Sequence, residues 1–220
     1  MKQENKKRGL DRLAVITTIV CLLPIIFSAA VYRDLPDRMA IHWGPNNVPD
    51  GWATKAFAAF GLPVFLAVLN LLCHIGSNRA GQAERQPSFL VLVCKWFPAL
   101  LSVILTPITL LIALGKEIDV GGIVCLIIGV MMLLVGNYLP KCRQNRTMGI
   151  KLPWTLANEE NWDKTHRMGG FLWILSGVLI IAVSFFRSWV PWLDWLMMAF
   201  LFLVILAPAV YSYVLHRKGL

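Results

Sequence analysis

Charge is what this sequence has least of: 15% of its 220 residues are Asp, Glu, Lys or Arg, against 57% that are hydrophobic. Soluble domains carry about a quarter charged residues, so an aqueous globule is a poor reading of this composition. The five cysteines include no pair that reads as a disulfide or as a zinc motif, which leaves them as small apolar packing residues. A Gly-rich phosphate loop, a His-Glu-x-x-His helix and a Gly-x-Ser-x-Gly elbow are all missing. The four histidines, His42, His74, His166 and His216, are too scattered to converge on one metal. No cofactor is expected.

What the chain does have is long apolar runs. A helix rises about 1.5 Å per residue, so roughly 20 apolar residues cross a hydrocarbon core about 30 Å thick. Six segments reach that length: 13–32, 56–77, 96–115, 120–140, 168–186 and 195–215. Each must be helical, because lipid offers no partner to backbone N–H and C=O groups. The fold class is therefore an all-α membrane protein, a six-helix transmembrane bundle. It divides into an amino-side half, 1–115, with spans one to three, and a carboxyl-side half, 116–220, with spans four to six. The first span imitates a cleavable signal at Ser28-Ala29-Ala30, but its apolar run is longer than a signal core, and it reads as a retained anchor.

Lys and Arg are enriched on the cytoplasmic side of membrane proteins. Lys2, Lys6, Lys7, Arg8, Arg12, Arg79, Arg85, Lys95, Lys141, Arg143, Arg146, Lys151, Lys164, Arg167, Arg217 and Lys218 fall on one side of the bundle; Arg33, Arg38, Lys55, Lys116 and Arg187 fall on the other. The imbalance places both termini in the cytoplasm. It also accounts for the +9 net charge, so no direct nucleic-acid partner is expected, and the surrounding lipid bilayer is the first partner.

Two polar connections stand out. In the outer loop, 33–55, Met39, Ile41 and Trp43 alternate with Ala40, His42 and Gly44, as in a half-buried strand. Gly44-Pro45-Asn46-Asn47 and Pro49-Asp50-Gly51 are turn signals. The pattern predicts a small extracytoplasmic hairpin-like loop. Trp43 and Trp52 suit either interface anchoring or ligand contact.

The basic inner loop, 141–167, is broken by Gly149 and Pro153, which predicts irregular structure up to Trp154. Beyond it Asn158 is a good N-cap, Glu159 and Glu160 suit a helix start, and Glu160/Lys164 and Asp163/Arg167 are spaced i,i+4. That helix leads into the fifth span, with Trp162 and His166 on one face. Glu159 and His166 could in principle make an acid–base site, against helix capping and packing as the plainer reading.

Within the spans, Asn137, Lys95 and Asp194 read as shallow, near water, and Asn70 as an interhelical hydrogen bond. Prolines 24, 63, 98, 107 and 208 free backbone carbonyls that neighbouring helices or threonines such as Thr106 and Thr109 could satisfy.

The run Gly136-Asn137-Tyr138-Leu139-Pro140-Lys141, then Arg143, Asn145, Gly149-Ile150, Pro153-Trp154-Thr155-Leu156, Glu159, Trp162 and Lys164-Thr165-His166-Arg167 with Gly169, resembles the signature of bacterial SdpI-type immunity proteins. The segment Leu35-Pro36-Asp37 through His42-Trp43 to Asp50-Gly51 is similar to the short uncharacterised domain at the amino end of many members. Gln144, where members often carry proline, and Lys151-Leu152, in place of Arg-Thr, depart from the pattern.

The resemblance implies a non-enzymatic membrane protein that protects its producer from a secreted antimicrobial peptide toxin. It also implies a second role, holding a small transcriptional repressor at the membrane. Candidate outer contacts are His42, Trp43, Asp50 and Trp52; Asn137, Arg143, Trp154, Thr155, Glu159, Trp162, His166 and Arg167 would shape the inner site. A small-ligand exporter or channel, motivated by the kinked spans and Asn70, and a membrane-surface hydrolase built on Glu159 and His166 are the alternatives.

The orientation is directly testable. A fluorescent protein fused after Leu220 should fluoresce in the cytoplasm while a phosphatase at the same point stays silent, and the reverse pattern would invert the topology.

Overall fold

The computed structural model describes residues 12–83, 88–146, 148–190 and 192–220. Lys2, Lys6, Lys7, Arg8 and Arg85 of the charge count lie outside them. Six helical stretches are long and apolar enough to cross a membrane: Arg12–Asp34, Phe57–Ser77, Phe89–Ala113, Val120–Lys141, Glu159–Ser184 and Leu193–Arg217. The third starts earlier than the sequence reading had it. Counting apolar residues stops at Lys95, yet Lys95 lies within the helix Ser88–Ala113 and is buried, so the run from Phe89 to Cys94 extends the span.

Helices are numbered α1 Arg12–Leu22, α2 Pro24–Val31, α3 Leu62–Ala83, α4 Ser88–Ala113, α5 Val120–Tyr138, α6 Pro153–Ala157, α7 Glu159–Ser184 and α8 Leu193–Arg217, and strands β1 Arg38–Trp43 and β2 Pro49–Thr54. The chain forms two compact units. One holds the chain up to Met39 with Ala53–Arg79 and Val91–Lys116; the other holds Ala40–Trp52, Ala80–Leu90 and Glu117–Leu220.

In the first unit, prolines set the local geometry and hydroxyls repair it. Pro24 separates α1 from α2, and Phe57–Gly61 forms a wide π turn closed by the Leu62 N–H on the Phe57 carbonyl. Pro63 has no N–H to give the Ala59 carbonyl four residues back. Ser28 Oγ donates to that carbonyl instead, at 2.7 Å. Ser102 Oγ reaches the Cys21 carbonyl at 2.6 Å.

Asn70, fully buried, accepts from Thr17 Oγ1 at 2.9 Å and donates to the Lys95 carbonyl at 2.8 Å, next to the carbonyl that Pro98 frees. This is the interhelical bond read from the sequence, worth about 1 kcal/mol. His74 adds a ring nitrogen 2.9 Å from Thr17 Oγ1. The two threonines named as partners for freed carbonyls are not used that way. Thr109 Oγ1 bonds its own Leu105 carbonyl, and Thr106 Oγ1 is buried without a partner among the described residues. A helical threonine reaches its own i−4 carbonyl more readily than a neighbouring helix.

In the second unit, α5 and α7 run antiparallel and touch backbone to backbone. A Cβ on Gly177 would lie 2.7 Å from the Gly129 carbonyl oxygen, and one on Gly170 would lie 2.7 Å from that of Gly136. The two glycine pairs recur at the same spacing on both helices, so one face of each is bare backbone. Close approach of this kind is how helices associate where lipid removes the hydrophobic drive. Met132, Ile180, Met197 and Val204 pack around α5, α7 and α8. Outward rows such as Phe171, Leu175 and Val178 on α7, or Leu203 and Val210 on α8, are exposed apolar side chains suited to acyl chains.

Backbone contact leaves no room for a side chain. Gly177→Val should lower the unfolding temperature in detergent by several degrees, as overpacking costs about 1–3 kcal/mol. Gly76→Ala, where an added Cβ meets nothing within 4 Å, should leave it unchanged or slightly raised.

Candidate functional site

The second unit has two polar ends. At the first, β1 and β2 form the expected hairpin, and its tip, Pro45–Asn47, carries Asn46 at φ 61° and Asn47 at φ 60°. Asparagine tolerates this left-handed conformation better than most residues. The turned backbone aims the Asn46 N–H at Asp194 Oδ2, 2.7 Å away, near the start of α8. Asn47 accepts from the Gly121 N–H at 3.2 Å and donates to the Ile118 carbonyl at 3.0 Å, at the start of α5.

Arg187 joins these contacts. Its Nε donates to Asp194 Oδ1 at 2.8 Å and its Nη2 to Asp194 Oδ2 at 2.6 Å, while Nη1 donates to Asp119. Asp119 in turn caps α5 by accepting the Gly122 N–H at 3.0 Å. The Arg187 side chain is only 5% exposed, and a buried guanidinium persists only when paired. The hydrogen bonds it donates to Asp194 are the main cause that holds its pKa above the ordinary arginine value. The sequence reading of Asp194 as a shallow residue facing water is corrected: it is buried, and its partner is Arg187, seven residues back across a turn.

The four proposed outer contacts lie on the two strands of this hairpin. His42 Nδ1 and Asp50 Oδ1 pair across it at 2.5 Å, both exposed, Trp52 is exposed, and Trp43 is half-buried.

The other end is built by the loop between α5 and α7. Asn158 caps α7 by accepting the Asn161 N–H, and Glu160 pairs with Lys164 at 2.8 Å, as the spacing predicted. A short helix, α6, opens at Pro153, inside the stretch expected to be irregular up to Trp154. Proline suits a first helical position, whose N–H has no helical partner.

Trp162 and His166 are buried and stacked, ring centroids 3.9 Å apart. Trp162 Nε1 donates to the Cys142 carbonyl at 2.7 Å. The Ile150 N–H donates to His166 Nε2 at 2.9 Å, and Nδ1 lies 2.8 Å from the Trp162 carbonyl. An N–H can only donate, so Nε2 must accept and the ring proton sits on Nδ1. Gly149, at φ +109°, lets the loop pass: a Cβ there would stand 2.4 Å from His166 Nε2. Thr155 Oγ1 accepts the Leu152 N–H and lies 2.8 Å from the Ile150 carbonyl.

Three of the eight inner candidates, Thr155, Trp162 and His166, are thus a buried clamp that shapes the loop. Trp154 is half-buried, stacked on His216 and edge-on to Tyr213, with its indole N–H buried and unpartnered among the described residues. Asn137, Arg143, Glu159 and Arg167 are exposed. Glu159 and His166 do not make an acid–base site here, because both ring nitrogens are engaged by backbone. Among the described residues no group of three or more His, Cys, Asp or Glu could hold a metal, and no disulfide joins two cysteines.

Sequence reasoning missed Asn161, Ser212 and Gln144. Asn161, on α7, takes the Ser212 hydroxyl on Oδ1 at 2.6 Å and gives a hydrogen to the Ser212 carbonyl at 3.0 Å, tying α7 to the end of α8. Gln144 donates to the Thr155 carbonyl at 2.7 Å, a bond that a proline at this position could not make.

Two sets of variants check this wiring by chemical unfolding in micelles. Arg187→Met should cost about 3–5 kcal/mol by leaving Asp194 buried without its counter-ion, and a second change, Asp194→Asn, should recover part of that. His166→Phe should cost about 1–3 kcal/mol through the orphaned Ile150 N–H.

Residues 141–212 match the SdpI/YfhL protein family, and residues 19–67 match a domain of unknown function, DUF1648. Immunity protein SdpI of Bacillus subtilis (strain 168) is 28% identical over 205 residues, an alignment that covers 93% of this chain and 97% of that protein. No solved structure matches the chain significantly.

Proposed function

We propose that this chain, a relative of Immunity protein SdpI with the SdpI/YfhL family segment in its carboxyl-side half, is itself an integral membrane immunity protein. It protects the cell that makes it by binding a secreted antimicrobial peptide toxin, without chemical turnover. The hairpin faces outward and meets the peptide through His42, Trp43, Asp50 and Trp52, and both termini lie in the cytoplasm.

The observation that carries this reading is the seat of the hairpin. Its tip is bonded to the first residues of α5 and α8, while the far ends of α7 and α8 meet at the loop clamp through Asn161 and Ser212. An exposed pair, His42 and Asp50, is therefore presented on a support that runs the length of the unit. Lack of a free ring nitrogen on His166 favours binding over hydrolysis. Asn70 is fully buried and bonded to Thr17, Thr18 and the Lys95 carbonyl, which favours a packing role over an export path. Holding a small repressor, the second role implied by the resemblance, would use the exposed Asn137, Arg143 and Glu159 beside the clamp.

Expression in a strain sensitive to the toxin tests the proposal. The wild-type chain should confer survival, and His42→Ala should reduce it at least about tenfold at equal protein level, since each 1.4 kcal/mol of lost affinity is a factor of ten. Trp154→Ala, which removes the ring stacked on His216 at the other end of the unit, should reduce it as well. Full survival with both variants would remove these residues from the site. Uptake of labelled peptide into sealed vesicles would favour an exporter instead.

A further inference from the structure

Three cations near the loop end of the second unit stand apart from the buried clamp. Arg167, Arg217 and Lys218 are exposed, and none has an ion-pair partner among the described residues. Their positions on the helices are informative. On α7, Arg167 heads a row that continues through Phe171, Leu175 and Val178 at helical spacing, all exposed and apolar. On α8, the exposed row Leu203, Leu206, Val210 and Val214 ends at Arg217, with Lys218 immediately after.

A cation placed to meet a soluble protein would stand on a polar surface. Here each cation instead stands directly at the end of a row that faces acyl chains, within about one turn of the last apolar side chain. That is the depth at which lipid phosphates lie, and long basic side chains reach it by extending along the helix end. A guanidinium binds a phosphate with two parallel N–H bonds, and an ammonium binds it as a point charge.

We infer that Arg167 near the start of α7, and Arg217 with Lys218 at the end of α8, bind headgroups of anionic phospholipid at the loop end of the second unit. The site does not depend on the immunity reading, because it needs only that these helices span a bilayer. Anionic lipid held there would neutralise cations that no carboxylate among the described residues pairs, and would fix the ends of α7 and α8 on which Asn161 and Ser212 meet.

The test is lipid retention by the full chain, purified in mild detergent and read by native mass spectrometry after addition of phosphatidylglycerol or phosphatidylcholine. The wild-type protein should retain phosphatidylglycerol about tenfold more than phosphatidylcholine, the preference falling with added salt, since each basic group near a headgroup layer contributes appreciable attraction to anionic lipid. The triple variant Arg167→Gln, Arg217→Gln, Lys218→Gln should lose the preference, Arg167→Lys should largely keep it, and Lys116→Gln in the other unit should leave it intact. An unfolding midpoint equal to wild type confirms that the triple variant is folded; if it is not, the pair Arg217→Gln, Lys218→Gln at the carboxyl end replaces it. Equal retention of both lipids, or an unchanged preference in the variant, overturns the inference. Displacement of the lipid by equimolar inorganic phosphate would also overturn it, as it would mark a site for free phosphate.

Discussion

A solvent that neither donates nor accepts a hydrogen bond governs this protein. Around six spanning helices, each polar atom not paired inside the chain costs free energy that water would otherwise have supplied. The proline-freed Ala59 carbonyl therefore takes the Ser28 hydroxyl, Asn70 gathers donors and an acceptor from two other helices, and Arg187 is closed in by two carboxylates. These contacts are conditions for the polar residues to exist where they do. The same solvent explains why α5 and α7 meet through glycine: with no hydrophobic drive between helices, close packing of backbone is the attraction that remains.

The two ends of the second unit solve the pairing problem with different chemistry. At the hairpin end the bonds involve full charges, and the turn of Asn46 and Asn47 is set by left-handed backbone that directs an amide at a carboxylate. At the loop end the buried clamp is neutral, and an imidazole with one nitrogen donating and one accepting bridges two stretches of backbone. Ion pairs fix position over a wide range of approach, whereas the imidazole fixes a tautomer and a ring plane. The hairpin end is suited to holding an appendage, and the loop end to holding a shape.

Much of this architecture was legible in the sequence. The spans follow from apolar length, the hairpin from Gly44-Pro45-Asn46-Asn47, and the start of α7 from Asn158 and the Glu160/Lys164 spacing. Trp162 and His166 were placed on one face by their separation alone, and that face is buried. What stayed hidden were partners, because periodicity tells which face a residue occupies and not what it meets. Arg187 and Asp194 are linked through a turn with no repeating pattern, Asn161 and Ser212 are far apart in the chain, and the glycine pairs show only when two helices are superposed. Lys95 misled in the other direction, because a charge that marks a boundary on paper is tolerated inside α4. Gln144, first seen as a departure from a family pattern, proved to be a bond to Thr155.

The wide turn at Phe57–Gly61 has a consequence for the rest of α3. It carries one residue more than an ordinary turn, and each residue advances the helical azimuth by about 100°. Everything downstream is therefore out of phase with a wheel drawn from Ala56. In this phase Asn70 and His74 point at Thr17. Lose one residue from the turn and the identical sequence would rotate both polar groups toward hydrocarbon, so the surplus residue acts as a rotational offset that aims a whole helix.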